Sequence, residues 1–200
     1  MFQTAIGVTI PFPERVGEGY RITDGAVRAS VSFEKLDAVI REFISLIEEP
    51  MFLALHIPLP EGATEEMSVY GEGTGSVYEQ VMYLDQCSKE QMLYVYNTFG
   101  GIFLADGVSQ FAIASHKSGD EMFVQLFKIV DFLGEGRLRY TSLLEKHGIY
   151  PSDGLLTAWD VLDKEHPGKC RLVKVLGTTI YDAVERLKEF GLYAAGVIER

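Results

Sequence analysis

Residues 100–132 read GGIFLADGVSQFAIASHKSGDEMFVQLFKIVDF, and the parsing of this stretch decides the fold. Gly100-Gly101 precedes a short apolar run, Ile102–Ala105. Asp106-Gly107 separates it from a longer run, Val108–His116, and Lys117-Ser118-Gly119 separates that run from Asp120–Phe132. Asp-Gly between apolar runs is a hairpin signal, because both central residues of a tight turn can take positive φ. Ser118-Gly119 repeats the signal. The stretch therefore predicts a three-stranded antiparallel meander, 102–132, at the centre of a sheet.

Outward from this centre, the flanks alternate strands and helices. Phe2–Ile10 leans towards strand and is ended by Pro11 and Pro13, which cannot donate to a ladder. Ala26–Val31 alternates as a strand. Ser32 is placed to N-cap a helix from Phe33 to about Glu48, with Leu36, Ile40, Phe43 and Ile47 as its stripe and Pro50 as its stop. Met51–Leu59 and Tyr78–Leu84 read as strands. Ser88 and Gln91 have capping-box spacing and open a helix that Gly100-Gly101 would close. Beyond the meander, a helix is expected over 138–147, with strands at Leu155–Leu162 and Cys170–Leu176. Thr179 and Asp182 open a further helix closed by Gly191, and Leu192–Ile198 is the last strand.

This pattern defines an α+β chain, a largely antiparallel sheet with about four helices, as a single domain over 1–200. From Ala26 the element order runs βαββαβ and can be read again from Asp120, giving pseudo-halves 1–117 and 118–200. That order is the ferredoxin-like split βαβ arrangement. No sequence repeat accompanies it.

Residues 60–76 lack apolar periodicity. They carry Glu61, Glu65, Glu66 and Glu72 among four glycines. A structureless segment of this length inside a domain is expected to be a binding loop or lid, or else a mobile connection.

Nothing in the 200 residues approaches the roughly 18 consecutive apolar residues of a membrane span. The first residues lack the basic region of a secretory signal. Cys87 and Cys170 are too few for a disulfide framework, which makes a cytoplasmic location the expectation. The net charge of −11 is unevenly placed: residues 1–100 carry 15 acids and 6 bases (−9), residues 101–200 carry 14 and 12 (−2). No Lys or Arg lies between Arg41 and Lys89, while nine acids do. Such a balance repels a phosphate backbone, so no nucleic-acid partner is expected, and it attracts a basic protein. A solvated surface is the plain alternative.

Ser115–Glu121, at the expected hairpin tip, contains His116 and Asp120, a titratable ring beside a carboxylate. Neighbours in one turn are also what turn chemistry asks for, whereas catalytic groups are assembled from separate segments. Trp159 and Asp160 are candidates to line a pocket, since an indole needs an apolar body and a partner for its N–H. Cys87 precedes a helix N-cap, which would lower its pKa, and Asp85 opposes that shift. No His/Cys spacing matches a zinc site, and neither a metal nor a cofactor is expected.

The functional expectation is a non-catalytic binding protein that engages a basic protein through its acidic 42–85 region, with Glu61, Glu65, Glu66 and Glu72 in the binding set. An immunity-like role fits such a profile. The alternative is a small-molecule-binding domain or enzyme with a pocket near His116, Asp120 and Trp159. A homodimer formed through an exposed sheet edge is compatible with either.

Overall fold

The computed structural model describes residues 2–59, 66–70 and 78–199. Helix α1 spans Phe33–Leu46 and buries Leu36, Val39, Ile40, Phe43 and Ile44, the stripe its apolar spacing dictates. Ser32 occupies the N-cap position, but its hydroxyl accepts from the Gln3 N–H rather than from the helix. Helix α2, Lys89–Ala105, opens with the expected capping box. Ser88 Oγ accepts from the Gln91 N–H at 3.2 Å, and Gln91 Oε1 accepts from the Ser88 N–H at 2.9 Å. Helices α3 (Tyr140–Lys146) and α4 (Ile180–Lys188) follow, the latter with the Thr179–Asp182 capping box.

Helix α2 does not stop at Gly100-Gly101. Neither glycine is left-handed, and a Cβ on Gly100 would come within 2.9 Å of the Tyr96 ring, so this glycine makes room for packing. Ile102–Ala105, expected as a strand, forms the last helical turn with all four residues buried. A four-residue apolar run has no period of its own, and a helix already nucleated by its cap extends through it. Asp106 therefore ends a helix rather than entering a hairpin. Gly107 lies against Gly7, where a Cβ would sit 2.0 Å from the Gly7 carbonyl oxygen.

The strands are β1 (Val8–Thr9), β2 (Gly19–Ile22), β3 (Val27–Ser30), β4 (Met51–Pro58), β5 (Glu66–Val69) and β6 (Tyr78–Cys87), followed by β7 (Gln110–Ser115), β8 (Glu121–Val124), β9 (Ile129–Leu133), β10 (Gly168–Arg171) and β11 (Tyr193–Glu199). The meander exists, displaced by one element: it is β7-β8-β9, over 110–133. Gly119, at φ 68°, makes the expected reversal between β7 and β8. The expected single run Asp120–Phe132 is two strands, broken at Leu126–Lys128. There Phe127 and Lys128 both take left-handed φ, 55° and 59°, without a glycine. Such a conformation costs about 1–3 kcal/mol per residue and needs tertiary support. The support is visible: Lys128 Nζ donates to the carbonyls of Phe103 (3.0 Å) and Ser109 (3.4 Å), and the Phe127 ring meets Trp159 edge-on.

The large sheet has the order β11-β6-β4-β7-β8-β9-β3-β2, every neighbour antiparallel. Strands from 1–117 and 118–200 interleave in it, since β8 and β9 lie between β7 and β3, so β3 is not a neighbour of β4. A second sheet, β1-β10-β5, uses Glu66–Val69 from within the stretch expected to be structureless. Leu155–Leu162 is not a strand but a 3-10 turn, Ala158–Val161, with a Thr157–Asp160 capping box. The expected strand Cys170–Leu176 pairs only as far as Arg171.

Alternation along β9 explains the layering. Val130 and Phe132 enter the main core with α1, α2, α3 and α4, whereas Ile129 points to the other face and joins a second core. Val8, Met67, Phe127, Val161 and Cys170 complete that second core. Cys87 belongs to the main core and Cys170 to the second, and no disulfide joins them. Among the described residues no helix is long and apolar enough to cross a membrane.

Two tests follow from the packing. Gly107→Ala drives a Cβ into backbone and should cost about 1–3 kcal/mol in urea unfolding. Gly25→Ala, with nothing within 4 Å, should stay within about 0.5 kcal/mol. Burial pulls the Lys128 ammonium down to about 8 against the charge of Asp106. The folded chain then releases this proton near pH 8, while the unfolded chain holds it to about pH 10.4. Between these values the unfolded state binds more protons, so the contribution of this group to stability rises with pH. The unfolding free energy of wild type minus Lys128→Met should accordingly increase from about pH 7.5 to about pH 10. A flat difference would remove the buried-cation account.

Candidate functional site

The structure does not bring His116, Asp120 and Trp159 together. His116 Nε2 lies 2.5 Å from Asp85 Oδ1, and its ring packs 4.8 Å from Phe52 on the intervening β4. The pair ties the end of β7 to β6 and holds the Asp85 carboxyl below its ordinary range, the His116 hydrogen bond being the main cause. Asp120 is buried and ion-paired with Arg139, whose guanidinium also donates to the Tyr140 hydroxyl at 2.8 Å. Trp159 stands at the far end of β8, donating from Nε1 to Gln125 Oε1 at 3.2 Å. Five residues of extended chain separate Asp120 from Gln125, about 17 Å. Asp160 closes its own turn, accepting from Thr157 N (2.8 Å) and Oγ1 (2.7 Å), and faces Arg21 at 3.7 Å.

All four histidines have a carboxylate neighbour: His56 with Glu79 (3.6 Å), His116 with Asp85, His147 with Glu42 (2.8 Å) and His166 with Asp163 (3.1 Å). Among the described residues, no group of three or more His, Cys, Asp or Glu could hold a metal ion.

The acids of 42–85 are mostly committed to internal contacts. Glu42 pairs with Lys146 and His147, Glu48 with Lys117 at 2.6 Å, and Glu66 with Lys169 at 2.7 Å. Glu49 accepts from the Lys89 N–H, and Glu79 is fully buried beside Gln110. Glu61, Glu65 and Glu72 lie outside the described residues.

One cavity collects groups from three elements. It lies where β6 ends, beside the first turns of α2 and Phe190, two residues beyond α4, and has a volume of about 380 Å³. Leu84, Cys87 and Val95 supply apolar lining, Tyr94 and Phe190 set two exposed rings 5.7 Å apart, and Asp85 and Glu90 supply carboxylates. Gln86 takes a left-handed φ of 55° at this bend, and its N–H donates to Asp85 Oδ1 at 2.7 Å. Among the described residues, no lysine, arginine or histidine lines the cavity. Two rings and two carboxylates suit an organic cation: the ring faces attract positive charge, and the carboxylates accept its hydrogen bonds. The Cys87 thiol is not a nucleophile here. Burial, then the Asp85 charge, pushes it up to about 11, contrary to the lowering expected beside a helix N-cap.

Sequence reasoning singled out Cys87 with Asp85 beside it, but assigned no role to Glu90 or Phe190. Tyr94 falls off the Met92–Val95–Tyr96–Phe99 stripe of α2, and an aromatic outside the stripe is the one signal that could have singled it out. Its meeting with Phe190, almost a hundred residues away, has no local signature. No protein-family model matches this chain, no curated protein matches it, and no solved structure matches it.

With Cys170→Ser as background, Cys87 should react with a disulfide reagent at neutral pH at least about tenfold more slowly in the folded chain than in urea. Equal rates would mean the thiol is open and ionised.

Proposed function

We propose that this chain is a non-catalytic binding protein that engages a basic protein partner, seating one lysine or arginine side chain of that partner in the cavity between β6, α2 and α4. The observation that carries this reading is the Tyr94–Phe190 ring pair beside Asp85 and Glu90, with no basic side chain on the lining among the described residues. A cation over an aromatic face within about 6 Å gains roughly 0.5–2 kcal/mol, depending on how far it is desolvated. This narrows the acidic-region expectation: most described acids of 42–85 are satisfied internally, and recognition falls to the end of that region. An immunity-like role, the masking of a basic protein, is one form such binding takes.

The alternative is a small cationic molecule in the same cavity, whose volume lies within the usual range for ligand sites of about 300–1,000 Å³. An enzyme reading would need His116, Asp120 and Trp159 to converge, and among the described residues they pair separately with Asp85, Arg139 and Gln125.

The test is a titration with hexa-arginine peptide, followed by amide chemical shifts. Shifts should cluster on Glu90, Tyr94 and Phe190, weaken with added salt, and be reduced several-fold in affinity by Tyr94→Ala or Glu90→Gln. Shifts elsewhere, or indifference to Tyr94→Ala, would sink the proposal. Free arginine binding as tightly as the peptide would favour the small-molecule alternative.

A further inference from the structure

The two edges of the large sheet are treated differently. At the β2 edge the chain seals itself: the Tyr20 N–H donates to Tyr150 O and the Ser152 N–H to Tyr20 O, both at 3.0 Å, with a parallel bridge from Tyr20 to Pro151. At the other edge β11 pairs, among the described residues, with β6 alone. All seven residues Tyr193–Glu199 are exposed, on both faces of the strand, including Tyr193 (47%), Val197 (55%) and Ile198 (42%). A terminal strand of an ordinary two-layer domain hides alternate side chains under its helices. This one hides none.

Edge strands are usually defended by charge, proline or a bulge. Here the nine residues Phe190–Ile198 carry no charge and no proline. The irregularity between Ala194 and Gly196 interrupts the ladder near its start and leaves Gly196–Glu199 in regular register.

We infer that β11 is the contact by which two copies of this chain associate, pairing antiparallel about a two-fold axis near Val197 and Ile198 and joining the two large sheets. Three observations select a second copy. Antiparallel pairing of a strand with its own copy is self-complementary: with the axis at Val197, Val197 faces Val197 of the other copy and Ile198 faces Gly196, without a different partner surface. Two chains of charge −11 repel, and the uncharged run is where they approach at least cost. The sealed β2 edge allows one pairing per chain through this sheet, so assembly stops at two rather than growing into a fibre. The contact is confined to one edge strand and so falls at the low end for specific interfaces. A dimer that dissociates in roughly the micromolar range follows.

Sedimentation of the whole chain from about 1 to about 300 µM should show the mass rise from 22.3 kDa and level at twice that value. The Val197→Lys/Ile198→Lys double variant should move the midpoint at least about tenfold higher in concentration, with unchanged circular dichroism. Hydrogen exchange at Val197 and Ile198 should slow as concentration rises. A 22.3 kDa species at every concentration overturns the inference, as does a dimer that survives the double variant or mass that grows without levelling. Hexa-arginine binding should be the same in the double variant, because neither residue lines the cavity. Failure of the cation site and failure of the dimer are thus separately visible.

Discussion

The fold depends on a buried polar knot at the C-terminal end of α2. Asp106, with no exposed surface, accepts from the N–H groups of Val108 (3.2 Å), Ser109 (2.9 Å) and Val173 (3.3 Å). Lys128, equally buried, donates to the last-turn carbonyl of Phe103 and to Ser109. Around them the backbone closes a ring of contacts: the Gly7 N–H to Ala105 O (2.8 Å), the Gly107 N–H to Arg171 O (3.0 Å) and the Arg171 N–H to Gly7 O (2.7 Å). Helix end, N-terminal segment, meander turn and β10 meet at this place. Burial disfavours the Lys128 cation, the Asp106 charge offsets part of that cost, and the two carbonyls take its hydrogen bonds.

The two cores follow from that knot. It fixes where α2 gives way to β7, and so which residues of the meander face the helices. It also holds the left-handed pair Phe127 and Lys128, which turns β8 back into β9 and sends the Phe127 ring into the second core. The only tryptophan works as a fastener at this junction. Trp159 joins Gln125, which reaches Asp131, and Asp131 takes Arg28 through two 2.9 Å bonds from β3. A polar strip of this kind, satisfied along its length, orients the 3-10 turn against the sheet.

The acidic character has two uses. Much of the carboxylate of the first half is structural: Glu42 holds α3 to α1, Glu66 holds β5 to β10, and Asp85 holds β6 to the end of β7 through His116. Glu90 forms no ion pair among the described residues and stands beside two exposed rings. β11, free of charge up to Glu199, begins three residues after Phe190, so the cavity and the edge of the large sheet are neighbours along the chain.

Much of this was legible in the sequence, because local physics decided it. The capping boxes at Ser88 and Thr179, the stripe of α1, the left-handed Gly119 and Gly191, and the strands β4, β6 and β11 were all readable from the chain, and together they determine an α+β fold with an antiparallel sheet. What the sequence could not decide was any choice between two locally acceptable states. Ile102–Ala105 suits a strand or a helical turn, and only the helix already running from Ser88, packed on its neighbours, settles it. Phe127 and Lys128 carry no turn signal, since their strain is offset by carbonyls and rings distant in the chain. Leu155–Leu162 suits a strand, yet the Thr157–Asp160 box and the bond from Trp159 to Gln125 hold it as a 3-10 turn. The meeting of Tyr94 with Phe190, and of Asp106 with Lys128, likewise belongs to tertiary structure, because periodicity and capping act over a few residues while burial and pairing act across the whole chain.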